Sequence, residues 1–270
     1  MDLAILLMTS PAKKFINATL RHLDIALVRR SRLNRLEWLS DRPDFIDFLL
    51  KIPEAQFPHL LKLLRNSKSQ LRQDLFALSQ LNMKTGGFFV EFGATNGMDL
   101  SNTYLLEKEL GWTGIVADPA TCWHSALREN RSCKIETDCV WSQSNSILRF
   151  NEVTTPELST VRSLSSSDSL RHMRGKGIGY AVRTISLEDM LDKHGAPNII
   201  DYLSVDTEGS EYEILKNFNF RRYKFRVITC EHNFSPQRQK IFDLLTINGY
   251  SRKFERFSGY DDWYVISEPL

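Results

Sequence analysis

The sequence predicts an α/β chain: a helical module over residues 1–85, then a domain over residues 86–270 built on a sheet with helices on both faces. Three observations predict it. Apolar residues keep helical spacing as far as Leu81, the pair Gly86-Gly87 ends that pattern, and from Phe88 onward short apolar runs alternate with helical stretches. Such alternation marks βα units, because a strand covered on both faces reads as a continuous apolar run.

In the N-terminal module Ser10-Pro11 supplies an N-cap and a first-turn proline, and Ile16, Leu20, Leu23 and Leu27 then recur at helical spacing. A second helix is expected over residues 41–52 through Phe45, Phe48, Leu49 and Ile52, and a third over 69–81 through Leu71, Leu75 and Leu78. Beyond Gly87 the candidate strands are residues 88–92, 115–117, 134–140, 201–205 and 226–230, with helices over 101–110, 186–193, 211–217 and 236–247. Asn248-Gly249-Tyr250 signals a tight turn into a late antiparallel pair ending at residues 263–266. Residues 156–180, rich in Ser and Gly and carrying Arg162, Arg171, His172, Arg174 and Lys176, read as one long irregular loop of the kind that covers binding sites. Its basic residues suit an anionic substrate or ligand.

Charge is unevenly spread. Residues 11–36 hold seven Lys/Arg against the single acid Asp24, so the apolar stripe there has a basic flank. Two roles fit this helix: peripheral contact with an anionic membrane surface, or packing on the following domain or a second subunit with the charges in water. Cys122, Cys133, Cys139 and Cys230 show neither metal-ligand spacing nor the density of a disulfide scaffold, which suits a reduced, cytoplasmic protein. The apolar opening, Met1 to Met8, is too short to span a bilayer, and neither export nor a transmembrane helix is expected. No nucleic-acid partner is expected, and a homo-oligomer stays open.

The strongest local signal is Glu91-Phe92-Gly93-Ala94-Thr95-Asn96-Gly97, a glycine-containing turn between an apolar strand and a helix. Turns without Cβ atoms let backbone N–H groups approach a ligand closely. Asp118 follows Gly97 by 21 residues and ends the next strand, where a carboxylate can accept from both ribose hydroxyls. Threonine at 95 breaks the GxGxxG fingerprint of dinucleotide binding, which weighs against an NAD-dependent oxidoreductase acting on nucleotide sugars. Glu91 suits a cationic ligand, or it caps neighbouring amides.

Residues 88–97, FFVEFGATNG, together with SNTYLLE at 101–107, resemble the opening of FkbM-type methyltransferases, and DYLSVDTEGSE at 201–211 resembles that family's second motif. The resemblance covers roughly residues 69–266 and leaves the helices before 69 unexplained. It implies a Rossmann-like seven-strand methyltransferase sheet, S-adenosylmethionine as cofactor, and methyl transfer to a hydroxyl of a carbohydrate or other natural-product acceptor, a glycan or glycan precursor among them. The cofactor set is then Glu91, Gly93, Ala94, Thr95, Asn96, Gly97 and Asp118, with Asp138 of the third candidate strand grouped beside them. A fold that keeps the cofactor but has lost turnover is a further alternative.

Methyl transfer is an in-line displacement that depends on positioning and on removing the acceptor's proton. Asp206 and Glu208 follow one candidate strand and Glu231-His232-Asn233 another, so a parallel sheet would open both groups on one carboxyl edge. Asp206, Glu208, Glu231 and His232 are therefore the candidate catalytic residues, with His232 the expected base. Asp206, Glu231 and Asn233 also offer oxygens of the kind that hold Mg²⁺ beside an acceptor diol, so a divalent metal stands as an alternative to a metal-free site.

Overall fold

In the computed structural model, residues 48–165, 171–174 and 177–267 are described. The predicted helix at 11–36 lies outside these residues, as does most of the one at 41–52. Residues from Ile52 onward form one compact unit.

That unit begins with helix α1 (Phe57–Leu63), which carries Pro58 in its first turn, and α2 (Gln73–Gln80). The sequence expects α2 to start at 69, but Arg72 takes a left-handed conformation and the helix begins after it. It is packed on the sheet, with Phe76 stacked on Trp263 at 4.7 Å between ring centroids and Gln73 Nε2 donating to Asp261 at 2.9 Å.

The sheet strands follow as β1 (Phe88–Phe92), β2 (Thr113–Ala117) and β3 (Lys134–Glu136), joined by helices α3 (Tyr104–Leu110) and α4 (His124–Asn130). After an inserted sheet come α5 (Leu187–Lys193), β8 (Ile199–Val205), α6 (Glu211–Leu215), β9 (Lys224–Glu231), α7 (Gln237–Ile247), β10 (Tyr250–Lys253) and β11 (Asp261–Ile266). The strand order is β10-β11-β9-β8-β1-β2-β3, with β11 alone antiparallel to its central neighbour β9. This is the expected seven-strand sheet.

The central strands are covered on both faces, and β8 is buried from Ile200 to Val205. Polar groups inside β8 are partnered. Asp201 accepts from Lys84 Nζ at 2.7 Å and from the Phe88 amide at 3.0 Å, and the Tyr202 hydroxyl meets Thr229 Oγ1 at 2.8 Å. Buried polar groups left without such partners would each cost about 1–3 kcal/mol.

The run at 134–140 is not one strand. Glu136 Oε1 accepts from the amides of Thr137 and Asp138, which turns the chain, and residues 139–141 leave the main sheet. They become β4 (Cys139–Trp141) of a four-stranded sheet with β5 (Ile147–Val153), β6 (Thr160–Val161) and β7 (Gly177–Ser186), in the order β4-β7-β5-β6. The described residues of the 156–180 stretch thus form 3-10 turns, β6 and the start of β7. Ala120, Cys139, Phe150, Val161 and Val182 form a small core of their own beneath it.

Candidate active site

A cavity of about 370 Å³ opens at the carboxyl ends of β1, β2, β8 and β9. It lies where the chain runs from β1 to β2 on one side and later returns to β8 on the other, the topological switch point at which open α/β sheets bind ligands. The inserted sheet supplies the opposite wall through Phe150, Leu158 and Val161.

The turn after β1 is shaped by two glycines. Gly93 has φ +72°, and a Cβ there would lie 1.7 Å from the backbone oxygen of Asp206. Gly97 has φ +79°, and a Cβ would meet Leu127 and Arg131 at 2.7 Å. Between them Thr95, at φ +48°, points its amide at Asp118 Oδ2 at 2.8 Å, and the other carboxylate oxygen accepts from the Ala120 amide at 2.9 Å. Burial pushes Asp118 up to about 7, offset in part by those two amides. Each oxygen holds a single backbone donor, so lone pairs remain for hydroxyl groups on the cavity side.

Glu91 lines the cavity but is fully engaged within the protein. It accepts from the Asn102 amide at 2.7 Å, from Ser101 Oγ at 2.9 Å and from Thr103 Oγ1, and Arg131 Nη1 lies 3.4 Å away. Residues 101–103, expected to be the first turn of a helix, instead wrap this carboxylate, and α3 starts at Tyr104. Arg131, which sequence reasoning missed, also pairs with Glu107 at 2.6 Å, its side chain wholly buried. No local pattern marks it.

Four predicted cofactor residues do not line the cavity. Asn96 Oδ1 accepts the amides of Met98 and Asp99 and so shapes the turn, while Gly97 packs on Arg131 and Ala94 is buried behind the turn. Asp138 also stands apart, its carboxylate 3.1 Å from Arg183 Nε of β7. The turn of the chain at Thr137-Asp138 directs it to the inserted sheet.

On the far side of the cavity Asp206, Glu208 and Glu231 bring carboxylate oxygens within 4.8 Å of one another. Glu208, at φ +58°, is held by Arg174 and by Asn233 Nδ2 at 3.3 Å. Arg174 also donates to the Leu158 carbonyl at 2.8 Å, so this buried guanidinium fastens the wall and is not presented to an anionic acceptor. Asp206 is partly open to the cavity, yet burial, joined by the charge of Asp261, pushes it up to about 8 against a hydrogen bond with Glu231. Burial and the charges of Asp206 and Glu208 hold Glu231 well above the usual carboxylate range.

His232, the expected base, does not face this space. Successive residues of a strand point to opposite faces, so with Glu231 in the cavity its neighbour is turned away. The imidazole accepts the Phe234 amide at Nδ1, 3.0 Å away, and its Nε2 lies 3.8 Å from Asp262 Oδ1. Burial lowers its pKa, with Asp262 opposing. Tyr260 and Phe234, at the cavity rim, were also missed, since their position depends on the β9 and β11 turns.

Residues 91–256, more than half of the chain, match the family model of the methyltransferase FkbM domain. The chain belongs to the FkbM methyltransferase family. It is a methyltransferase, and S-adenosylmethionine is the methyl donor that the family implies. Among solved structures, the FkbM methyltransferase of Methylobacillus flagellatus KT is similar with a TM-score of 0.42 and 13% identity, over 78% of this chain and 59% of that one. The precorrin-6y C5,15-methyltransferase of Geobacter metallireducens GS-15 gives 0.37 and 12%, over 71% and 85%, and the CurJ carbon methyltransferase 0.36 and 11%, over 90% and 72%. No curated protein matches the sequence. Among the described residues no helix is long and apolar enough to cross a membrane.

Proposed function

We propose that this FkbM methyltransferase transfers a methyl group to a hydroxyl of a carbohydrate or other natural-product acceptor. The observation that supports the reading is that Asp118, at the end of β2, and Asp206, at the end of β8, line one cavity, the first placed to accept from a ribose and the second pushed up by burial. When bound, S-adenosylmethionine supplies an electrophilic sulfonium methyl. Asp118 would accept hydrogen bonds from the two ribose hydroxyls, with the Gly93–Thr95 turn beside it. Asp206 would accept the hydrogen bond of the acceptor hydroxyl, hold its oxygen toward the donor and take up its proton on transfer.

A carboxylate of ordinary pKa is a weak base for an alcohol, whereas one raised to about 8 is better matched to the task near neutral pH. The apolar wall of Phe150, Leu158 and Val161 excludes water from the transfer. The test is incubation with S-adenosylmethionine labelled in the methyl group and a panel of glycans, glycan precursors and other polyols, with the label located by mass spectrometry. Label on an oxygen is expected. Label on carbon or nitrogen, or none with any hydroxyl acceptor while S-adenosylhomocysteine binds, would sink the proposal.

A further inference from the structure

The carboxylates of Asp206, Glu208 and Glu231 come from the ends of two strands that lie side by side in the sheet, and each offers one oxygen within 4.8 Å of the others. Oxygen ligands bonded to one ion at about 2.0–2.6 Å are separated by no more than about 4–5 Å, so the three fit a common centre. Like charges at this spacing repel, and Arg174 pairs with Glu208. No ion pair among the described residues involves Asp206 or Glu231. Glu231 is 5% exposed, lines the cavity, and has one oxygen, Oε2, that is buried with no hydrogen-bond donor. A buried carboxylate oxygen without a donor is costly unless a cation or a proton completes it.

We propose that Asp206, Glu208 and Glu231 form a site for a hard divalent cation, of the Mg²⁺, Mn²⁺ or Ca²⁺ class, at the acceptor end of the cavity. The donor set is all oxygen, with no sulfur or imidazole, which selects hard ions over zinc or copper. Each carboxylate offers the ion one oxygen, and the ion's charge would draw Asp206 back toward the ordinary carboxylate range, so the reading of Asp206 as a raised base holds for the ion-free site. The use of the ion, to bind and acidify an acceptor with adjacent hydroxyls, rests on the hydroxyl reading above. Ion binding itself does not.

Mn²⁺ is the probe, its free form followed by electron paramagnetic resonance as it is titrated into the metal-stripped full chain. Saturable binding of one ion is expected at concentrations up to about 1 mM. Glu231→Gln, close in shape and with one charge fewer, is expected to weaken that binding at least tenfold, and Mg²⁺ and Ca²⁺ to compete in the wild type. Binding of S-adenosylhomocysteine, measured by calorimetry on the same samples, reads the donor half of the cavity separately: its loss with Mn²⁺ binding intact defeats the functional reading alone. No Mn²⁺ binding in the wild type shows that Asp206 and Glu231 share a proton instead, and overturns the site. Equal binding by wild type and a folded Glu231→Gln does the same. If that variant does not fold, anomalous scattering from wild-type crystals soaked in Mn²⁺ decides, since a peak away from the three carboxylates overturns the proposal and a peak among them supports it.

Discussion

Gly93 lies directly against the backbone oxygen of Asp206, so the turn at the end of β1 and the acidic loop at the end of β8 form one unit. An added Cβ at 1.7 Å from that oxygen cannot be relieved by rotating a side chain, because the atom it meets is backbone. Gly93→Ala also places an L-residue at φ +72°, where only glycine is at ease. We expect a loss of at least about 2 kcal/mol of stability and at least tenfold weaker S-adenosylhomocysteine binding. A wild-type urea midpoint would contradict this.

Asp118→Asn keeps the shape of the side chain but turns one acceptor oxygen into a donor facing either the Thr95 or the Ala120 amide. Binding of S-adenosylhomocysteine should weaken at least tenfold by calorimetry, the loss expected when a charge-assisted hydrogen bond goes. In the wild type, affinity should fall as pH drops through about 7, where Asp118 takes up a proton, and the variant should lack that dependence. Unchanged affinity in the variant removes Asp118 from the donor site.

Much of this half of the site was legible in the sequence because it is local. The apolar run at 88–92, the glycine turn and the acid 21 residues beyond Gly97 all lie within one βα unit, and each acts through backbone it directly adjoins. The inserted sheet was not legible, since β5 breaks polar/apolar alternation at Ile147-Leu148 and at Asn151-Glu152, and β7 starts with glycines in a stretch that composition alone reads as a loop. The orientation of Glu231 against His232 depends on strand register, which one sequence does not determine. Arg174 has the same history: its charge suggests an anionic ligand, and only the fold shows Glu208 beside it.

Asp261 offers a pH test of the buried acids. It is fully enclosed, accepts from Gln73 at 2.9 Å, and burial pushes it up to about 7, offset by Gln73 and Trp263. Below pH about 4 both folded and unfolded chains hold this proton, and above about 7 both have lost it. Between those limits the unfolded chain releases the proton while the folded one keeps it. Stability therefore declines as pH rises across that window, by up to about 1.4 kcal/mol per pH unit from this group. His232, with its lowered pKa, acts in the opposite direction near its upper end, so the decisive quantity is a difference between proteins. Asp261→Asn, which can still accept from Gln73, should show a flatter decline in urea denaturation between pH 5 and pH 7, at about those limits. Parallel profiles for wild type and variant would show that Asp261 is ionised in the fold.

The base is the sharpest point at which structure and sequence part. Sequence position nominates His232, but its Nδ1 is occupied by the Phe234 amide and its Nε2 is turned to Asp262, away from the cavity. Asp206 lines the cavity and has its pKa raised to about 8 by burial and by Asp261. Asp206→Asn should lower kcat by about 10²–10⁴-fold, the usual contribution of a positioned base, while S-adenosylhomocysteine binding changes by less than about threefold. His232→Gln can preserve the bond from the Phe234 amide through its side-chain oxygen and should keep kcat within about fivefold, well short of the loss of a general base. The pH profile of kcat separates the two further. In the wild type and in His232→Gln it should rise to a plateau with an apparent pKa set by the acidic cluster, and this rise should be missing from the residual activity of Asp206→Asn. A large loss of kcat in a folded His232→Gln, with Asp206→Asn near wild type, would return the base to the histidine and require the β9 loop to rearrange when the acceptor binds.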